Sequence, residues 1–369
     1  MMNLIYHGKL AILQRVLPTY RAQFFDLLAE SCQGGLTICA GEPRLREGIE
    51  TTRQLKSALL TPVRNIHMLG GALYMCWQSG LIEWLNAQDP GALILEANPR
   101  YISSRAAIQW MKKRSRPVIG WGLGSPALTG GWGGIRKSIR LNFVSRFDAL
   151  LTYSQRGAEE YQALGYPTER IFVAPNAATA RPVQPAIERE PVFKIRPCLL
   201  FVGRLQKRKR IDLLLQACAN LPMDLQPRLV IIGDGPELTT MQSLARQIYP
   251  IAEFPGARHG AELTQYFNEA DVFVLPGTGG LAVQEAMSHA LPVIVARGDG
   301  TQDDLVRPVN GWQIKGDDLA SLRETLRVAL KDAPRLRKMG LESYRIVSEE
   351  INLEKMVEVF VGVLDKLGK

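Results

Sequence analysis

The segment from Asp271 to Ala296 reads DVFVLPGTGGLAVQEAMSHALPVIVA. DVFVLP is an apolar run that stops at a proline, LAVQEAMSHA has helical composition, and LPVIVA is rich in β-branched residues. This order predicts a parallel strand–helix–strand unit. The glycine-rich residues 277–280 then precede the helix, where backbone amides can face an anion such as a diphosphate. An ordinary glycine turn would look the same in isolation.

The same alternation of strands and helices continues on both sides of this segment. Further strands are expected at residues 92–97, 117–121, 148–154, 170–177, 198–202 and 228–232. Residues 70–85 are apolar but interrupted by polar side chains, and we interpret them as a packed helix. The regular alternation predicts an α/β chain with two Rossmann-like, doubly wound parallel sheets that face each other across a cleft.

A chain of 369 residues suits two domains. We place the N-terminal domain at residues 1–178 and the C-terminal domain at 198–350. Between them, residues 179–197 are rich in proline and lack periodicity, as expected of a linker. Residues 351–369 form a final helix that could pack back on the N-terminal domain.

Composition excludes several classes of protein. Five scattered cysteines without a CxxC pair indicate neither a disulfide framework nor a zinc site, and they fit a reducing cytoplasm. No apolar run reaches the roughly 18 residues that a membrane span needs, and the N-terminus lacks the features of a signal peptide. The chain carries no signature of a base-reading module, so nucleic-acid binding is not expected.

The positive charge is concentrated in the first half. Residues 1–178 carry 20 Lys and Arg against 12 Asp and Glu, whereas the remainder carries 25 against 24. Residues 132–146 predict a basic amphipathic helix with an apolar face of Trp132, Ile135, Ile139 and Phe143 and with Arg136, Lys137, Arg140 and Arg146 around it. Such a helix could lie at the inner surface of an anionic membrane, or it could pack on the core with a solvated basic face.

Three loops of the first half should open at one edge of its sheet, where α/β proteins place ligands. We expect Tyr20 and Arg21 in the first loop, Asn98 and Arg100 in the second, and Trp121 at the start of the third to face the acceptor substrate. The first loop lacks G-x-G-x-x-G, so a nicotinamide or flavin cofactor is not indicated.

A set of ordered motifs in the second half resembles a known family. The motifs are VGRLxxxK (202–209), GDGPE (233–237), a phenylalanine-centred strand and loop (254–259), ADVFVLP (270–276) and the glycine loop followed by Glu285. Together they look like the donor half of retaining GT-B glycosyltransferases of the GT4 type, the glycosyl transferases group 1. The first half is similar only in its general layout.

The resemblance implies roles for individual residues. Arg204, after Gly203, and Lys209 would hold the diphosphate of a nucleotide sugar, where fixed positive charge meets the negative charge of the leaving group. Amides of the loop Gly279, Gly280 and Leu281 would contact phosphate. Glu285 would bind ribose hydroxyls, and Arg258 belongs to the segment that faces the base. The remaining cations of the 207–210 cluster are interpreted as solvated.

The sequence also departs from the family pattern. The first acid of the family's E-x7-E signature falls on Gly277, and Asp299, Gln302, Asp303 and Asp304 in a following loop are possible substitutes. Arg210 stands where a glycine is usual. No D-x-D pair is present, so neither a metal nor any other cofactor is expected besides the nucleotide-sugar substrate. No catalytic base can be named.

These patterns favour transfer of a hexose from a UDP- or GDP-sugar to a hydroxyl of a glycan or polyprenyl-linked acceptor, with retention at the anomeric carbon, in cell-surface polysaccharide biosynthesis. The first alternative is a sugar-nucleotide 2-epimerase of the same architecture. A non-catalytic nucleotide-sugar-binding partner subunit is the second, because the acid at position 277 is missing.

Overall fold

A computed structural model describes residues 4–126, 133–193, 195–298, 300 and 302–368. Contacts divide the chain into two units. Unit 1 consists of Met1–Ala178 and Leu353–Lys369, and unit 2 consists of Thr179–Asn352. The stretch 179–197, interpreted above as a linker, therefore belongs to unit 2. There Arg189 donates hydrogen bonds to four backbone carbonyl groups.

The strands follow the apolar runs of the sequence. In unit 1 they are β1 (Leu10–Val16), β2 (Leu36–Gly41), β3 (Leu59–Pro62), β4 (Asn65–Met68), β5 (Met75–Gln78), β6 (Ala92–Glu96), β7 (Val118–Gly122), β8 (Ala149–Thr152) and β9 (Ile171–Val173). In unit 2 they are β10 (Cys198–Val202), β11 (Arg228–Ile232), β12 (Glu253–Gly256), β13 (Val272–Leu275), β14 (Val293–Ala296) and β15 (Gly311–Ile314).

Helices separate most of these strands. They are α1 (Ala22–Glu30), α2 (Leu81–Gln88), α3 (Ser104–Lys112), α4 (Gly133–Val144), α5 (Gln155–Leu164), α6 (Ile211–Ala219), α7 (Leu238–Ile248), α8 (Gly260–Glu269), α9 (Ala282–Ser288), α10 (Leu319–Ala329), α11 (Ala333–Arg345) and α12 (Leu353–Leu367). Among the described residues, no helix combines the length and the apolar composition that a bilayer crossing requires.

Each unit is built on a parallel sheet, as the alternation predicted. The order is β3-β2-β1-β6-β7-β8-β9 in unit 1 and β12-β11-β10-β13-β14-β15 in unit 2. The inner strands are buried along nearly their whole length, because helices cover both faces of such sheets. Doubly wound parallel sheets in an α/β chain are therefore confirmed.

The prediction of a packed helix over residues 70–85 was wrong in its first part. Met75–Gln78 form β5, which pairs with β4 in an antiparallel hairpin, and only the residues from Leu81 onward enter α2. Gly80 separates the two elements with a left-handed backbone (φ 73°) that interrupts helical periodicity. The partner strand, which a window of local sequence does not contain, decided the outcome.

The cores of the two units are formed by separate clusters of side chains. In unit 1, Phe24 of α1, Trp121 of β7 and Phe360 of α12 pack against one another with ring centroids 5.0–5.7 Å apart. The C-terminal helix thus contributes to the core of unit 1. In unit 2, buried residues of β10, β11, β13 and β14 pack against α6, α9 and α10.

Candidate functional site

The order of strands in unit 2 creates a switch point between β10 and β13. From β10 the chain proceeds outward through β11 and β12, and it then returns to the other side of β10 to form β13. The loops that follow β10 and β13 therefore leave the sheet in opposite directions at its carboxyl edge. Open α/β sheets bind ligands in the crevice that such a divergence leaves.

Backbone hydrogen bonds hold the turn that contains Arg204. The N–H of Gly203 donates to Ile232 O (3.0 Å), and the N–H of Leu205 donates to Asp234 O (2.8 Å). A Cβ atom at position 233 would lie 2.0 Å from Gly203 O, so the two loops approach as closely as their backbones allow. The exposed Arg204 side chain thus projects from a fixed turn at the carboxyl end of β10.

Lys209 connects the loop after β10 to the glycine loop after β13. Its side chain is only 6% exposed, and its Nζ donates a hydrogen bond to Gly279 O (2.8 Å). Two further contacts join these loops: Thr278 N–H donates to Arg208 O, and Arg208 Nη1 donates to Thr278 O. Burial, with Arg208 nearby, lowers the pKa of Lys209 to about 8. An anion bound beside this ammonium group would oppose that shift.

The glycine loop has a backbone that side chains would disfavour. Gly279 and Gly280 have φ values of 69° and 147°. A Cβ atom at position 280 would lie 2.5 Å from the Leu275 side chain. The loop leads through the partly exposed Leu281 into α9, the helix that carries Glu285. Glu285 is partly buried, and this burial raises its pKa.

Gly277 has no room for any side chain. A Cβ atom there would lie 2.1 Å from Arg208 O and 2.5 Å from the carbonyl carbon of Lys209. The backbone of the 207–210 loop therefore fills the space beside this position. The first acid of the E-x7-E signature therefore has no room at this position, because the loop that carries Lys209 lies too close.

The possible substitutes for that acid have different surroundings. Asp299 lies outside the described residues, and Gln302 is buried at 5% exposure. Asp303 and Asp304 lie in the turns before β15. Within the described parts of the chain, no group of three His, Cys, Asp or Glu side chains could hold a metal ion.

Arg210 shows why a glycine is usual at its position. The residue adopts the left-handed conformation (φ 53°, ψ 43°) that joins the turn after β10 to α6. Its guanidinium pairs with Asp212 and Asp317, and these contacts oppose the backbone strain. The interpretation of Arg210 as merely solvated was therefore wrong, and it was also wrong for Arg208, whose guanidinium donates to Thr278 O and Gln206 Oε1.

Arg258 lies farther from the switch point. It follows β12, which is two strands from β10, so about 10 Å separates the two strand ends across the sheet. Its guanidinium is near Glu262 (3.5 Å) and donates to Ala257 O (3.2 Å).

A cavity of about 710 Å³ lies at the carboxyl edge of the sheet in unit 2. Its lining includes Arg208, Arg210, Gly277 and Thr278.

Sequence reasoning missed Gln284, the neighbour of Glu285 in α9. Its buried side chain accepts a hydrogen bond from Thr179 N–H (3.2 Å) and donates one to Ile351 O (2.7 Å). These partners lie at the two ends of unit 2 in the sequence. A buried glutamine inside an amphipathic helix was the available signal, because buried amides require partners.

In unit 1 the sheet has its own switch point, between β1 and β6. Tyr20 follows β1 and is 43% exposed, whereas Arg21 is buried and donates to Ala177 O (3.0 Å) and Asn176 Oδ1. Trp121, at 2% exposure, also lies inside the unit.

Asn98 and Arg100 follow β6. Asn98 Oδ1 accepts a hydrogen bond from Arg100 N–H (3.1 Å), so the two residues share one turn. Glu96, which sequence reasoning overlooked, ends the strand just before them.

Comparison with known proteins finds a family model that matches part of unit 2. Residues 184–345 match the family model described as glycosyl transferases group 1. A GDP-mannose-dependent alpha-mannosyltransferase of Mycobacterium tuberculosis is 34% identical over 168 residues, which cover 42% of each chain. The putative colanic acid biosynthesis glycosyltransferase WcaL of Escherichia coli is 26% identical over 193 residues, 49% of this chain and 47% of that protein. The matches thus span less than half of these two relatives.

The fold of nearly the whole chain matches that of a solved structure. The crystal structure of Anabaena Alr3699/HepE in complex with UDP superposes with a TM-score of 0.71 at 15% identity, covering 97% of this chain and 99% of that one. At this level of identity the likeness establishes the GT-B fold and nothing about substrates.

Proposed function

Residues 184–345 form a domain of the glycosyl transferases group 1 family, and on that premise we propose that this protein transfers a hexose from a nucleoside-diphosphate sugar to a hydroxyl of a glycan or lipid-linked acceptor. The observation that carries the proposal is the buried Lys209 ammonium, bonded to the glycine loop at the switch point of unit 2. A cation held there can neutralise a leaving diphosphate.

In the proposed reaction, the bond between the anomeric carbon and the diphosphate oxygen breaks as the acceptor oxygen attacks from the same face. The leaving phosphate takes the proton of the acceptor hydroxyl. Arg204 and Lys209 stabilise the developing negative charge, and Glu285 holds ribose hydroxyls. Because two side-chain cations supply the positive charge, we propose that the transfer is independent of metal ions.

Two relatives and one structural neighbour support different parts of the substrate assignment. The mycobacterial relative is named for its dependence on GDP-mannose, whereas HepE was crystallised with UDP. We therefore propose both UDP-sugars and GDP-sugars as possible donors. WcaL is named for colanic acid biosynthesis, which supports a role of this protein in assembling a cell-surface polysaccharide.

The test compares Lys209→Met with Lys207→Met. Lys207 is exposed and belongs to the same short turn, so its variant controls for the loss of one positive charge. Turnover of UDP- or GDP-hexoses should fall by at least about 100-fold in Lys209→Met, as is typical when a group that stabilises the transition state is lost. Arg204→Ala should behave likewise.

Near-normal rates in Lys209→Met and Arg204→Ala would contradict the assignment of these residues. Epimerisation of the nucleotide sugar without an acceptor would instead support the isomerase alternative. Activity in the presence of a chelator checks the proposed metal independence.

We further propose that α4 contacts an anionic membrane surface. Ile135 and Ile139 are 55% and 52% exposed, and Arg136 and Lys137 are exposed on the same helix. Phe143 is buried in the unit, and the partly exposed Arg140 donates to Ser125 Oγ and Pro126 O. Trp132, expected on the apolar face, lies outside the described residues.

Flotation with anionic liposomes tests this contact. The wild type should float with the vesicles, and the double variant Arg136→Gln/Lys137→Gln should not, because each cation near such a surface contributes about 1 kcal/mol. The matched control is Lys112→Gln/Lys113→Gln, which removes two cations at the end of α3. Absence of wild-type flotation would contradict the proposal.

A further inference from the structure

The side chains of Arg208 and Lys209 converge on the glycine loop of unit 2. A Cβ atom at position 279 would lie 2.8 Å from Arg208 Nη1 and 3.7 Å from Lys209 Nζ, so the two cationic groups flank the same residue. Lys209 is only 6% exposed, whereas Arg208 is an exposed residue. The guanidinium is thus the more accessible of the two cations at this point of the loop.

The hydrogen-bond partners of these two cations are neutral oxygens. Arg208 donates to Thr278 O (3.2 Å) and to Gln206 Oε1 (3.0 Å), and Lys209 donates to Gly279 O (2.8 Å). Burial and the repulsion from Arg208 lower the pKa of Lys209. The partners that hold the two positive charges do not neutralise them, so an anionic ligand would stabilise both.

The side chain of Arg208 changes the sign of the charge beside this loop. The family pattern has an acid at position 277, where this chain has glycine, and the backbone oxygen of Arg208 lies 2.1 Å from the place of a Cβ atom there. The side chain of Arg208 then extends past Thr278 toward Gly279. A positive charge therefore stands where relatives of this pattern carry a negative one.

A cavity of about 710 Å³ lies beside Arg208, and its volume is typical of sites that bind small molecules. The acids among its described lining residues are Asp212, Asp317 and Glu237. Arg210 pairs with Asp212 and Asp317. Glu237 is at the N-cap of α7, where the helix dipole favours a negative charge. These acids are therefore balanced locally, and an anionic group can lie beside Arg208.

The charges of a nucleotide sugar can be compared with the cations around the glycine loop. Its diphosphate carries two negative charges, one on each phosphate, and the proposed function assigns Arg204 and Lys209 to them. The guanidinium of Arg208 is a third cation beside the same loop. A carboxylate on the sugar would supply the third negative charge, and guanidinium groups bind carboxylates through two parallel hydrogen bonds.

We propose that the sugar of the donor is a hexuronic acid and that Arg208 binds its carboxylate. The inference rests on the proposed function and names the class of sugar that is transferred. The sugar is bonded to the phosphate that Lys209 neutralises, so its substituents lie near the neighbouring guanidinium. A neutral hexose offers no charge there, and Arg208 should therefore discriminate between acidic and neutral donors.

Isothermal titration calorimetry with matched pairs of nucleotide sugars tests this proposal. The pairs are UDP-glucuronate with UDP-glucose, UDP-galacturonate with UDP-galactose, and GDP-mannuronate with GDP-mannose. In at least one pair the wild type should bind the acidic member about 10-fold more tightly, as expected for a hydrogen bond between charged groups. Arg208→Gln should abolish this preference. Arg208→Lys should keep part of it, because lysine retains the charge but not the planar fork.

Lys207→Gln is the matched control. It removes one exposed cation from the same short turn and should keep the preference for the acidic donor. The ratio of the two affinities within a pair separates recognition of the sugar from a structural role. If Arg208 only held the glycine loop or the diphosphate, Arg208→Gln would weaken both members equally and leave the ratio unchanged, and that result would overturn the inference.

Binding of UDP and GDP separates this inference from the proposed function. A wild type that binds a nucleotide, and binds the neutral member of every pair as tightly as the acidic one, would overturn only the assignment of the sugar. A wild type that binds neither nucleotide and none of the nucleotide sugars would contradict the proposed function as well.

Discussion

Lys209 carries the charge on which the proposed chemistry depends. Burial and the nearby Arg208 lower its pKa to about 8 from 10.5, so a substantial fraction of the side chain is neutral in mildly alkaline solution. A bound diphosphate favours the charged form and raises the pKa again. Binding of the donor should therefore be coupled to uptake of a proton.

We expect the affinity for UDP or GDP to fall as the pH rises above about 8, because Lys209 must then be protonated upon binding. Isothermal titration calorimetry in buffers of different ionisation enthalpy measures both the affinity and the proton uptake. Lys209→Met should show a lower affinity and no proton uptake. A pH-independent affinity in the wild type would contradict the assigned role of Lys209.

The lowered pKa of Lys209 also affects the stability of the protein without ligand. Between about pH 8 and 10.5 the unfolded state binds more protons at this residue than the folded state does, so the free energy of unfolding should rise through that window. Chemical denaturation of wild type and Lys209→Met across these pH values would reveal the difference.

Gly277 should not tolerate the acid that the family usually has. Gly277→Ala places a Cβ atom 2.1 Å from Arg208 O, and we expect it to lower the free energy of unfolding by about 2 kcal/mol. Gly277→Glu should also fail to raise activity, because the lysine loop occupies the space. Gly316→Ala is the matched control, since no atom lies within 4 Å of its added Cβ. Equal stability of the two alanine variants would refute the steric explanation.

At the scale of elements, α9 is held at several places. Gln284 bonds it to Thr179 and to Ile351. Arg189, from the stretch interpreted as a linker, donates to the carbonyl oxygens of His289 and Ala290 just after the helix. A seven-residue helix has little stability of its own, so these contacts position Glu285.

Arg189→Met should destabilise unit 2 by about 3 kcal/mol. The substitution keeps the apolar stem but leaves buried carbonyl groups without their donors at Phe267, Ala270, His289 and Ala290. Chemical denaturation measures the loss. Arg246→Met, an exposed arginine on α7, should change the stability by less than about 0.5 kcal/mol. A similarly small effect of Arg189→Met would mean that the stretch is only loosely attached.

At the scale of the whole molecule, the chain leaves unit 1 after residue 178 and returns to it at residue 353. Unit 1 thus depends on α12, the last helix of the sequence, for part of its core. Phe360 of this helix is fully buried against Phe24 and Trp121. Unit 2 contains residues 184–345, which match the family model, and it has its own core.

Phe360→Ala should therefore lower the stability of unit 1 and leave the stability of unit 2 unchanged. Removal of a buried phenylalanine costs about 3–5 kcal/mol, whereas nucleotide affinity in unit 2 should be unchanged. Hydrogen exchange resolved by segment measures both units in one experiment. Glu358→Gln on the same helix disrupts only an exposed ion pair with Lys355 and serves as the control. Loss of protection confined to unit 2 would contradict this assignment of α12.

The sequence determined the features that local pattern encodes. Apolar runs and glycine turns predicted most of the strands and both parallel sheets, and the ordered motifs indicated the family. The packed helix expected over residues 70–85 failed because the partner strand β4 lies outside the window that suggested it. The proposed roles of Arg204, Lys209 and Glu285 stay predictions until the variants are measured.

Only the tertiary structure decided which distant groups meet. Lys209 reaches Gly279 across 70 positions of sequence, and Gln284 reaches residues 105 positions before and 67 after it. The close backbone approach that excludes a side chain at Gly277 arises in the same way. Such contacts depend on the order of strands in a sheet, which the periodicity of a single segment does not contain.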